Sequence, residues 1–270
     1  MKEKQIVSII TVVFNGKKYL EETIQSVLTQ SYDNVEYIII DGGSTDGTLD
    51  IIKKYEDQID YWVSEQDNGV YDGMNKGIDV ASGKWINFMN AGDCFYSNES
   101  ISEVFSQNVD GIDIIYGDRQ VIFANQKSKI VKAQDLKLIW QGKLMCHQSC
   151  FVDASYHKKH KFILKYDICD DFEFIYSAYK RKAKFKHVNI VIAKYLAGGL
   201  SGEHEIKATI QDWLIGNKNI KTNVFYMKRL SKIIIKKPIK YILKYDVPKE
   251  QRNRFQNLIV EKLDKIKGKI

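Results

Sequence analysis

Two kinds of apolar pattern alternate along the first ninety residues. Continuous apolar runs are typical of strands buried on both faces, and apolar residues three or four positions apart are typical of amphipathic helices. Strands that alternate with helices predict an α/β fold with a mostly parallel sheet. The strand-like runs fall at residues 6–14, 35–40, 59–63 and 85–89, and the helical spacing falls at 18–29, 49–55 and 71–80.

The second half of the chain continues both patterns less regularly. Gly117 and Asp118 separate two short apolar runs, which predict two strands. A helix that begins close to Asp170 would direct its aromatic and aliphatic residues inward, namely Phe172, Ile175, Tyr176 and Tyr179. The further strands are predicted at 112–116, 120–123 and 190–196, and the further helices at 100–107 and 166–180.

Two aspartates directly follow predicted strands, and this position suggests chemistry. Ligands of open α/β sheets bind beyond the carboxyl ends of the strands. Asp93 follows the run at 85–89 and is therefore a candidate to hold a metal on a nucleotide diphosphate; the alternative is that it caps a helix starting near Ser97. Asp41 follows the run at 35–40 and could accept a hydrogen bond from a base or ribose, while Asp46 could cap the next helix.

Composition excludes several classes of protein. The 270 residues are enough for one large or two small domains, and no window of 18 uninterrupted apolar residues indicates a transmembrane helix. The apolar start is too short for a signal peptide and ends at Asn15 without a cleavage-type site. GxGxxG is absent, which argues against a nicotinamide domain. Cys146, His147 and Cys150 leave a zinc site open, although buried reduced thiols are the simpler expectation.

The net positive charge of the chain comes from its C-terminal tail. Residues 217–270 contain 16 basic and 4 acidic residues, whereas residues 1–216 contain 25 and 30. The body is therefore mildly acidic, and no nucleic-acid partner is expected. Within the tail, Met227, Leu230, Ile233 and Ile234 share one helical face, and Lys228, Arg229, Lys232 and Lys236 lie opposite. Pro238 then predicts an interruption of this helix. This pattern favours a helix on an anionic membrane surface, with packing of the apolar face on the body as the alternative.

Several motifs occur together in a fixed order: TVVFNGKKYL and IIIDGGSTDGT, then DNGVYDGMNKG, ASGKW and FMNAGD. In this combination the chain resembles family 2 glycosyltransferases of the GT-A fold, in the branch that builds bacterial exopolysaccharide, capsule or lipopolysaccharide. The resemblance is strong over residues 5–110 and looser over 111–216. It implies a GT-A-like (Rossmann-like) α/β fold, a nucleotide-sugar donor, most simply a UDP-sugar, a divalent cation (Mg²⁺ or Mn²⁺), and inversion at the anomeric carbon.

The resemblance also implies roles for single residues. Asp41 corresponds to the carboxylate that recognises the base, and Asp93 to the last aspartate of the metal-binding motif. The remaining residues on the donor side are Thr11, Phe14, Asn15, Asp72, Asn75, Asn90, Ala91 and Gly92.

This chain departs from the family pattern at two positions. Gly92 stands where an aspartate often precedes the last one, and Met74 stands where many relatives carry an arginine. One carboxylate fewer suggests a loosely held ion that relies on phosphate and water, which Mg²⁺ accepts. The same departure leaves room for an inactive relative.

An acidic cluster in the second half supplies the candidate base. Asp170 and Asp171 match the family's Glu-Asp pair, whose second member takes the proton of the acceptor, so Asp171 is the predicted base and Asp170 the alternative. Helix capping would explain either acid without catalysis. By resemblance, His147 and Gln148 lie on the acceptor side, and Gly199 belongs to a loop beside the diphosphate, or to a simple turn.

These observations together predict an inverting, metal-dependent glycosyltransferase. Residues 1–216 would form the catalytic domain, with nucleotide-sugar binding in 1–110 and the acceptor side in 111–216. Residues 217–270 would form a basic helical tail that holds a cytoplasmic enzyme at the inner face of the cell membrane, near a lipid-linked glycan acceptor. The alternative function is a catalytically inactive nucleotide-sugar-binding or scaffold subunit of a polysaccharide assembly complex.

Overall fold

The computed structural model describes residues 5–142, 144–216 and 219–244, and all of their side chains except those of 200–201 and 236–244. Within the described residues, the first half alternates strand and helix as the sequence predicts. Its strands are β1 (Val7–Val13), β2 (Val35–Asp41), β3 (Tyr61–Ser64), β4 (Trp85–Phe88) and β5 (Asp93–Phe95), and its helices are α1 (Leu20–Leu28), α2 (Thr48–Lys54), α3 (Val70–Val80) and α4 (Ser100–Phe105).

The second half differs from its prediction at Gly117. The two predicted strands on either side of this glycine form one continuous strand, which absorbs a register irregularity between Tyr116 and Arg119. A β-bulge bends a strand without ending it, so the glycine marks an irregularity and not a turn. The strands are β6 (Ile114–Ile122), β7 (Ser128–Val131), β8 (Cys150–Asp153) and β9 (Phe185–Leu196), and the helices are α5 (Ala154–Lys159), α6 (Asp170–Lys180), α7 (Leu200–Glu203), α8 (Glu205–Ile215) and α9 (Ile220–Lys244).

The nine strands that the structure describes form one mixed sheet in the order β3-β2-β1-β4-β8-β6-β9-β5, with β7 paired to β6. The first four strands along this path are parallel, as predicted. From β8 onward, antiparallel pairs extend the sheet, and only β6 and β9 run parallel there. The α/β fold class predicted from sequence is confirmed, with a parallel half joined to a mixed half.

Helices cover both faces of the sheet and create two apolar layers. Because side chains alternate along a strand, Ile9 of β1 faces one layer and Ile10 the other. The first layer packs α1, α2 and α4 on the sheet, and the second packs α3, α5 and α6. In α6, Phe172 is buried as predicted, but Tyr179 is 39% exposed and Phe174 takes an inward place. The helix is therefore rotated slightly from the face that the sequence pattern favours.

Two glycines let α3 approach β1 closely. A Cβ atom at Gly73 would lie 2.7 Å from Cγ1 of Val12, and one at Gly77 would lie 2.5 Å from Cγ2 of Ile10. These distances are too short for real side chains, so the first turns of α3 depend on glycine for their position on the sheet. The helix in turn carries Tyr71 and Asp72 to the carboxyl edge of the strands.

The described part of the tail packs on the body through one face of α9. Thr222, Tyr226 and Ile233 are buried there, and Arg229 forms an ion pair with the buried Asp212 of α8 at 3.4 Å. Met227 and Ile234 are 60% and 57% exposed. The apolar residues that the sequence places on one face are thus divided between the body and solvent. The predictions for Lys236 and for residues 245–270 lie outside the described side chains and residues.

The course of α9 differs from the sequence expectation in one further respect. The helix continues past Pro238 to Lys244, where the sequence predicts an interruption. Proline removes one backbone hydrogen bond and can be accommodated without ending a helix. Among the described helices, none combines the length and the hydrophobicity that a membrane span requires.

Candidate active site

The carboxyl ends of the parallel strands meet at one edge of the sheet and form the base of the site. Val13 of β1 pairs with Asp41 of β2, which pairs with Ser64 of β3. β4 ends at Phe88 on the other side of β1, and the turn that contains Asn90 follows it. This is the edge at which open α/β sheets bind ligands.

Hydrogen bonds to β1, to α1 and within the turn itself hold the turn of residues 90–93 in place. Asn90 Oδ1 accepts a hydrogen bond from the backbone of Val12 at 3.3 Å, and the Asp93 amide donates to Asn90 O at 2.8 Å. Thr23 of α1 accepts from the Gly92 amide and donates to Asp93 O. Gly92 has a φ of +98°, a backbone conformation that favours glycine. This conformation explains why glycine suits the position where relatives often carry aspartate.

Asp93 begins β5 and directs its carboxylate into the cleft. The helix that follows starts at Ser100 with Glu99 at its N-cap, so the structure does not use Asp93 as the cap. Asp93 Oδ2 accepts a hydrogen bond from Gln148 Nε2 at 2.8 Å. Burial raises the pKa of Asp93 to about 6, although the nearby His147 and the hydrogen bond from Gln148 lower it in part. The carboxylate is therefore mostly ionised at pH 7, in the form that binds a cation.

His147 lies between the two carboxylates that the sequence singles out. Its Nε2 is 3.8 Å from Oδ2 of Asp93 and 3.4 Å from Nδ2 of Asn90, and its Nδ1 is 3.5 Å from Oδ2 of Asp171. A short 3₁₀-helix, His147–Ser149, positions the ring, and the next residue, Gln148, reaches Asp93. Residues from three distant segments therefore converge on one cleft.

Asp171 lies in the first turn of α6 and faces this cleft. Its Oδ1 accepts from its neighbour Phe172 N at 2.9 Å and lies 3.1 Å from the hydroxyl of Tyr71, which is also 2.9 Å from Ile168 O. The sequence pattern identifies Tyr71 only as a core residue of α3. It is indeed buried, but its hydroxyl reaches the candidate base, and apolar spacing carries no signal for such a contact.

Asp170 has a different environment from Asp171. It is fully buried, and Oδ1 accepts a hydrogen bond from the backbone of Tyr166 at 3.0 Å. Burial raises the pKa of Asp170, because the charged form loses hydration there. Asp170 thus supports the entry into α6, while Asp171 presents Oδ2 toward His147. Of the two acids, only Asp171 lies against another candidate site residue.

The predicted nucleoside contacts fall into two groups. Thr11 and Asp41 are fully buried: Thr11 Oγ1 donates to Met89 O at 2.8 Å, and Asp41 accepts from Gly43, Ser44 and Ser64. Phe14 is 64% exposed at the end of β1, and Asn15 has a φ of +49° with its Oδ1 bonded to Thr45 N. The first pair shapes the base of the cleft, and the second pair lies where a ligand could touch it. Their ligand contacts stay predictions.

Three further candidates lie around the same edge. Asp72 accepts hydrogen bonds from the backbone and side chain of Asn68 at the start of α3. The side-chain amide of Asn75 donates to Phe162 O at 2.9 Å, and its oxygen accepts from Phe162 N at 3.0 Å. Gly199 is exposed just beyond β9, the strand that pairs with β5 beside Asp93. All three lie on elements that border the cleft, and a direct role in binding stays a prediction for each.

The donor atoms near Asp93 are suitable for a divalent cation that takes most of its ligands from substrate. In the part of the chain that the structure describes, no group of three His, Cys, Asp or Glu side chains could hold a metal, which also removes support for the zinc alternative there. Asp93 supplies one carboxylate, and Oε1 of the adjacent Gln148 is buried without a hydrogen bond. Mg²⁺ and Mn²⁺ prefer such oxygen donors, and Mg²⁺ commonly uses one or two carboxylates with phosphates and water. The residues fit a cation bound together with a diphosphate.

Comparison with known proteins agrees with this geometry. The model of the family described as Glycosyl transferase family 2 matches residues 8–183. A PGL/p-HBAD biosynthesis glycosyltransferase of Mycobacterium bovis is 30% identical over 202 residues, which cover 72% of this chain and 78% of the relative. The putative teichuronic acid biosynthesis glycosyltransferase TuaG of Bacillus subtilis is 39% identical over 93 residues, or 33% of this chain and 37% of TuaG.

Solved structures share the fold at low sequence identity. TarS 1–349 of S. aureus, in complex with UDP-GlcNAc, has a TM-score of 0.60 at 16% identity and covers 78% of this chain and 66% of TarS 1–349. The mannosyltransferase PcManGT of Pyrobaculum calidifontis, in complex with GDP-Man and Mn²⁺, has a TM-score of 0.63 at 12% identity, covering 85% and 70%. This chain therefore spans slightly less than two thirds of TarS 1–349, and 39% of the longer TarS chain.

Proposed function

This chain belongs to glycosyl transferase family 2, and we propose that it transfers a sugar from a nucleotide-sugar donor, with inversion, to a hydroxyl group of a glycan acceptor. The observation that carries the proposal is the position of His147 between Asp93 and Asp171, with ring nitrogens 3.8 and 3.5 Å from their carboxylate oxygens. It brings a candidate cation-binding carboxylate and a candidate base to opposite sides of one imidazole ring. Complexes of structural relatives with UDP-GlcNAc and with GDP-Man support a nucleotide-sugar donor, with UDP-sugars as our first choice.

The chemistry divides between the two carboxylates. Asp171 takes the proton of the acceptor hydroxyl while the acceptor oxygen forms a bond to the anomeric carbon. The bond from that carbon to the donor phosphate breaks on the opposite side, and the nucleotide diphosphate leaves with the electron pair, so the configuration inverts. An alcohol is a weak nucleophile at neutral pH, and a base positioned beside it contributes roughly 10²- to 10⁴-fold in rate. The Tyr71 hydroxyl and the Phe172 amide fix Oδ1, which leaves Oδ2 toward the cleft.

Asp93 and Gln148 would hold Mg²⁺ or Mn²⁺ against the diphosphate. When bound, the cation neutralises charge that develops on the leaving group. Gln148 orients the Asp93 carboxylate through its amide, and the Thr23 contacts keep the turn of residues 90–93 rigid. The structural relative in complex with GDP-Man and Mn²⁺ supports this assignment.

The proposal is tested by nucleotide release from a panel of UDP-, GDP- and TDP-sugars, with and without EDTA. Asp171→Asn keeps the size of the side chain but cannot accept the proton, so turnover should fall by about 10²- to 10⁴-fold while donor binding changes little. Asp167→Asn is the matched control, because Asp167 is exposed and pairs with the exposed Lys207. A fully active Asp171→Asn enzyme would exclude this residue as the base.

A second function rests on Gly92, which removes one of the usual carboxylates from the metal motif. In that case the protein binds a nucleotide-sugar without transferring it, as a subunit of a polysaccharide assembly complex. This function is favoured if calorimetry detects donor binding but no donor releases nucleotide, even in the presence of a purified lipid-linked glycan acceptor. Cation-dependent release would exclude it.

The acceptor and the location of the enzyme belong to the same proposal. We assign residues 1–216 to sugar transfer, with the donor in 1–110 and the acceptor in 111–216. We assign 217–270 to attachment at the inner face of the cell membrane. The basic character of the tail supports this assignment, since each Lys or Arg near an anionic leaflet contributes about 1 kcal/mol. A lipid-linked glycan acceptor suits an enzyme held there.

A further inference from the structure

Arg119 is a cationic side chain that points to the same face of the sheet as Asp93. In the antiparallel pair of β5 and β9, Asp93 lies opposite Tyr195, and in the parallel pair of β9 and β6, Tyr195 lies beside Val121. Paired residues of adjacent strands share a face, and so do residues two positions apart in one strand. Arg119, two residues before Val121, therefore projects on the face that carries Asp93.

Arg119 is partly buried, and its guanidinium group has few partners among the described residues. Nη1 donates to Leu144 O at a long 3.5 Å, and the side chain of Tyr195 provides a second hydrogen bond. Nε is buried without any hydrogen bond. Among the described ion pairs, none joins Arg119 to a carboxylate, whereas the partly buried Arg229 has Asp212.

The groups that surround Arg119 do not neutralise its charge. Cys146 and Cys150 lie nearby, and burial raises the pKa of both thiols, so they carry no negative charge near pH 7. Cys146 also lies within electrostatic range of Asp93, and it directly precedes the 3₁₀-helix that carries His147 and Gln148. Arg119 is partly buried, and a cation removed in part from water without an opposite charge beside it is less stable than a paired one. Its position next to this segment therefore indicates a partner that arrives with the substrate.

We propose that Arg119 is an anion-binding residue of the cleft and that it takes a phosphate group of a substrate. A guanidinium presents its donors as a planar fork that matches two oxygens of a phosphate, and Nε of Arg119 has no hydrogen-bond partner among the described residues. The phosphate comes either from the diphosphate of the donor or from a phosphorylated acceptor. The choice between these two sources rests on the proposed function, but the anion site itself does not.

The direct test measures binding of inorganic pyrophosphate to the full-length protein by calorimetry. Because hydrogen bonds to charged groups are strong, Arg119→Gln should weaken binding by about 10- to 100-fold. Arg119→Lys keeps the charge but loses the fork, and should weaken binding by about 5- to 10-fold. Lys129→Gln on the neighbouring β7 removes the same charge from an exposed position and should behave as wild type. The melting temperature of each variant verifies folding, and Arg119→Lys remains informative if Arg119→Gln does not fold.

Repeating the titration in saturating UDP and Mg²⁺ identifies the source of the phosphate. If UDP blocks pyrophosphate and Arg119→Gln also weakens UDP but not uridine, the residue binds the donor diphosphate. If pyrophosphate still binds the UDP-saturated protein in an Arg119-dependent way, the residue binds an acceptor phosphate. If the protein binds pyrophosphate through Arg119 but releases no nucleotide from any donor, the result supports the anion site and contradicts the proposed activity. Equal pyrophosphate affinity in wild type and both Arg119 variants, or no binding by wild type, overturns the proposal.

Discussion

The hydroxyl oxygen of Tyr71 lies 3.1 Å from Oδ1 of Asp171, although 100 positions separate the two residues in the chain. Tyr71 is on α3, which glycine residues hold close to β1, and Asp171 is in the first turn of α6. The contact thus connects the first half of the chain, where we propose that the donor binds, to the second half, where we propose that the acceptor binds. We expect it to orient the candidate base toward the cleft.

Replacing Tyr71 with Phe removes this hydrogen bond and keeps the ring in the core. Since a hydrogen bond to a charged group is worth about 1.5–3 kcal/mol, kcat should fall by roughly ten-fold or more, while KM for the donor stays within about two-fold. Steady-state kinetics on the preferred donor measures the two constants separately. Tyr179→Phe, at a partly exposed position of α6, is the control. A fall in stability with unchanged kcat would instead make Tyr71 a purely structural residue.

Replacing Asp93 should raise the stability of the metal-free protein and abolish its activity. The pKa of Asp93 in the folded protein is about 6 because burial disfavours the charged form, whereas the ordinary value is 3.8. The protonated form therefore stabilises the fold at low pH, and this contribution is lost as pH rises through about 6. In EDTA, Asp93→Asn should melt at a higher temperature than wild type at pH 8, with a difference that shrinks toward pH 4. The same variant should show no cation-dependent nucleotide release.

If Asp93→Asn and wild type differ in melting temperature by the same amount at pH 4 and pH 8, this result would contradict the burial of an ionised Asp93. Retained cation-dependent release in Asp93→Asn would contradict its role as the cation ligand. The two measurements are independent, because the first uses the metal-free protein and the second uses the assay. Asp79→Asn serves as the control, since Asp79 is exposed and pairs with Lys161 at the surface.

Gly77→Ala tests whether close packing of α3 on β1 outweighs helix propensity. Alanine favours a helix interior by about 1 kcal/mol relative to glycine. A Cβ at this position would lie only 2.5 Å from Cγ2 of Ile10, and overpacking costs about 1–3 kcal/mol. We expect a net loss of stability of roughly 1 kcal/mol in urea denaturation, the difference between these two terms. Gly202→Ala, where a Cβ meets no atom within 4 Å, should be neutral or stabilising. Unchanged stability in Gly77→Ala would mean that α3 can shift freely.

Part of α9 presents an apolar stripe to solvent, and this stripe is the expected membrane contact. Its members recur at helical spacing on the side away from the body, and Lys221, Lys228 and Lys232 border it. The exposed apolar residues are Ile220, Val224, Met227 and Ile234. Removing the whole tail would also remove the buried Tyr226 and the ion pair between Arg229 and Asp212, so point substitutions are the better test.

We expect the full chain to pellet with vesicles that contain phosphatidylglycerol, and less with neutral vesicles. A Val224→Ser, Met227→Ser variant should pellet less, because burial of apolar side chains and attraction of lysines to the leaflet act together. Added salt should weaken binding by screening. Ile130→Ser, at an exposed position of β7, is the control for loss of surface apolar area. Equal partitioning of wild type and the double variant would exclude this stripe as the membrane contact.

Local pattern was sufficient to predict the parallel half of the fold. Continuous apolar runs and 3–4 spacing depend on burial of one strand or one helix face, and the boundaries of β1, β2 and α3 lie within one residue of the predicted limits. The resemblance to the family also identified Asp93, Asp171, His147 and Gln148, which the structure brings together. Motif order along the chain reflects where strand ends fall, and strand ends determine which side chains reach the cleft.

Other features depended on contacts between distant segments, which no local window contains. Asp170 and Asp171 are adjacent acids in sequence, and only the rotation of α6 against the sheet buries one and turns the other toward His147. The long-range pairing of β8 with β4 and β6, and of β9 with β5 and β6, brings the segments of Gln148 and Arg119 close to that of Asp93. The packing of Tyr226 on α8 decides which face of α9 is free. The sequence by itself determined which elements form and which residue types carry chemistry. The tertiary structure decided their partners, because burial and charge compensation depend on neighbours that are far apart in the chain.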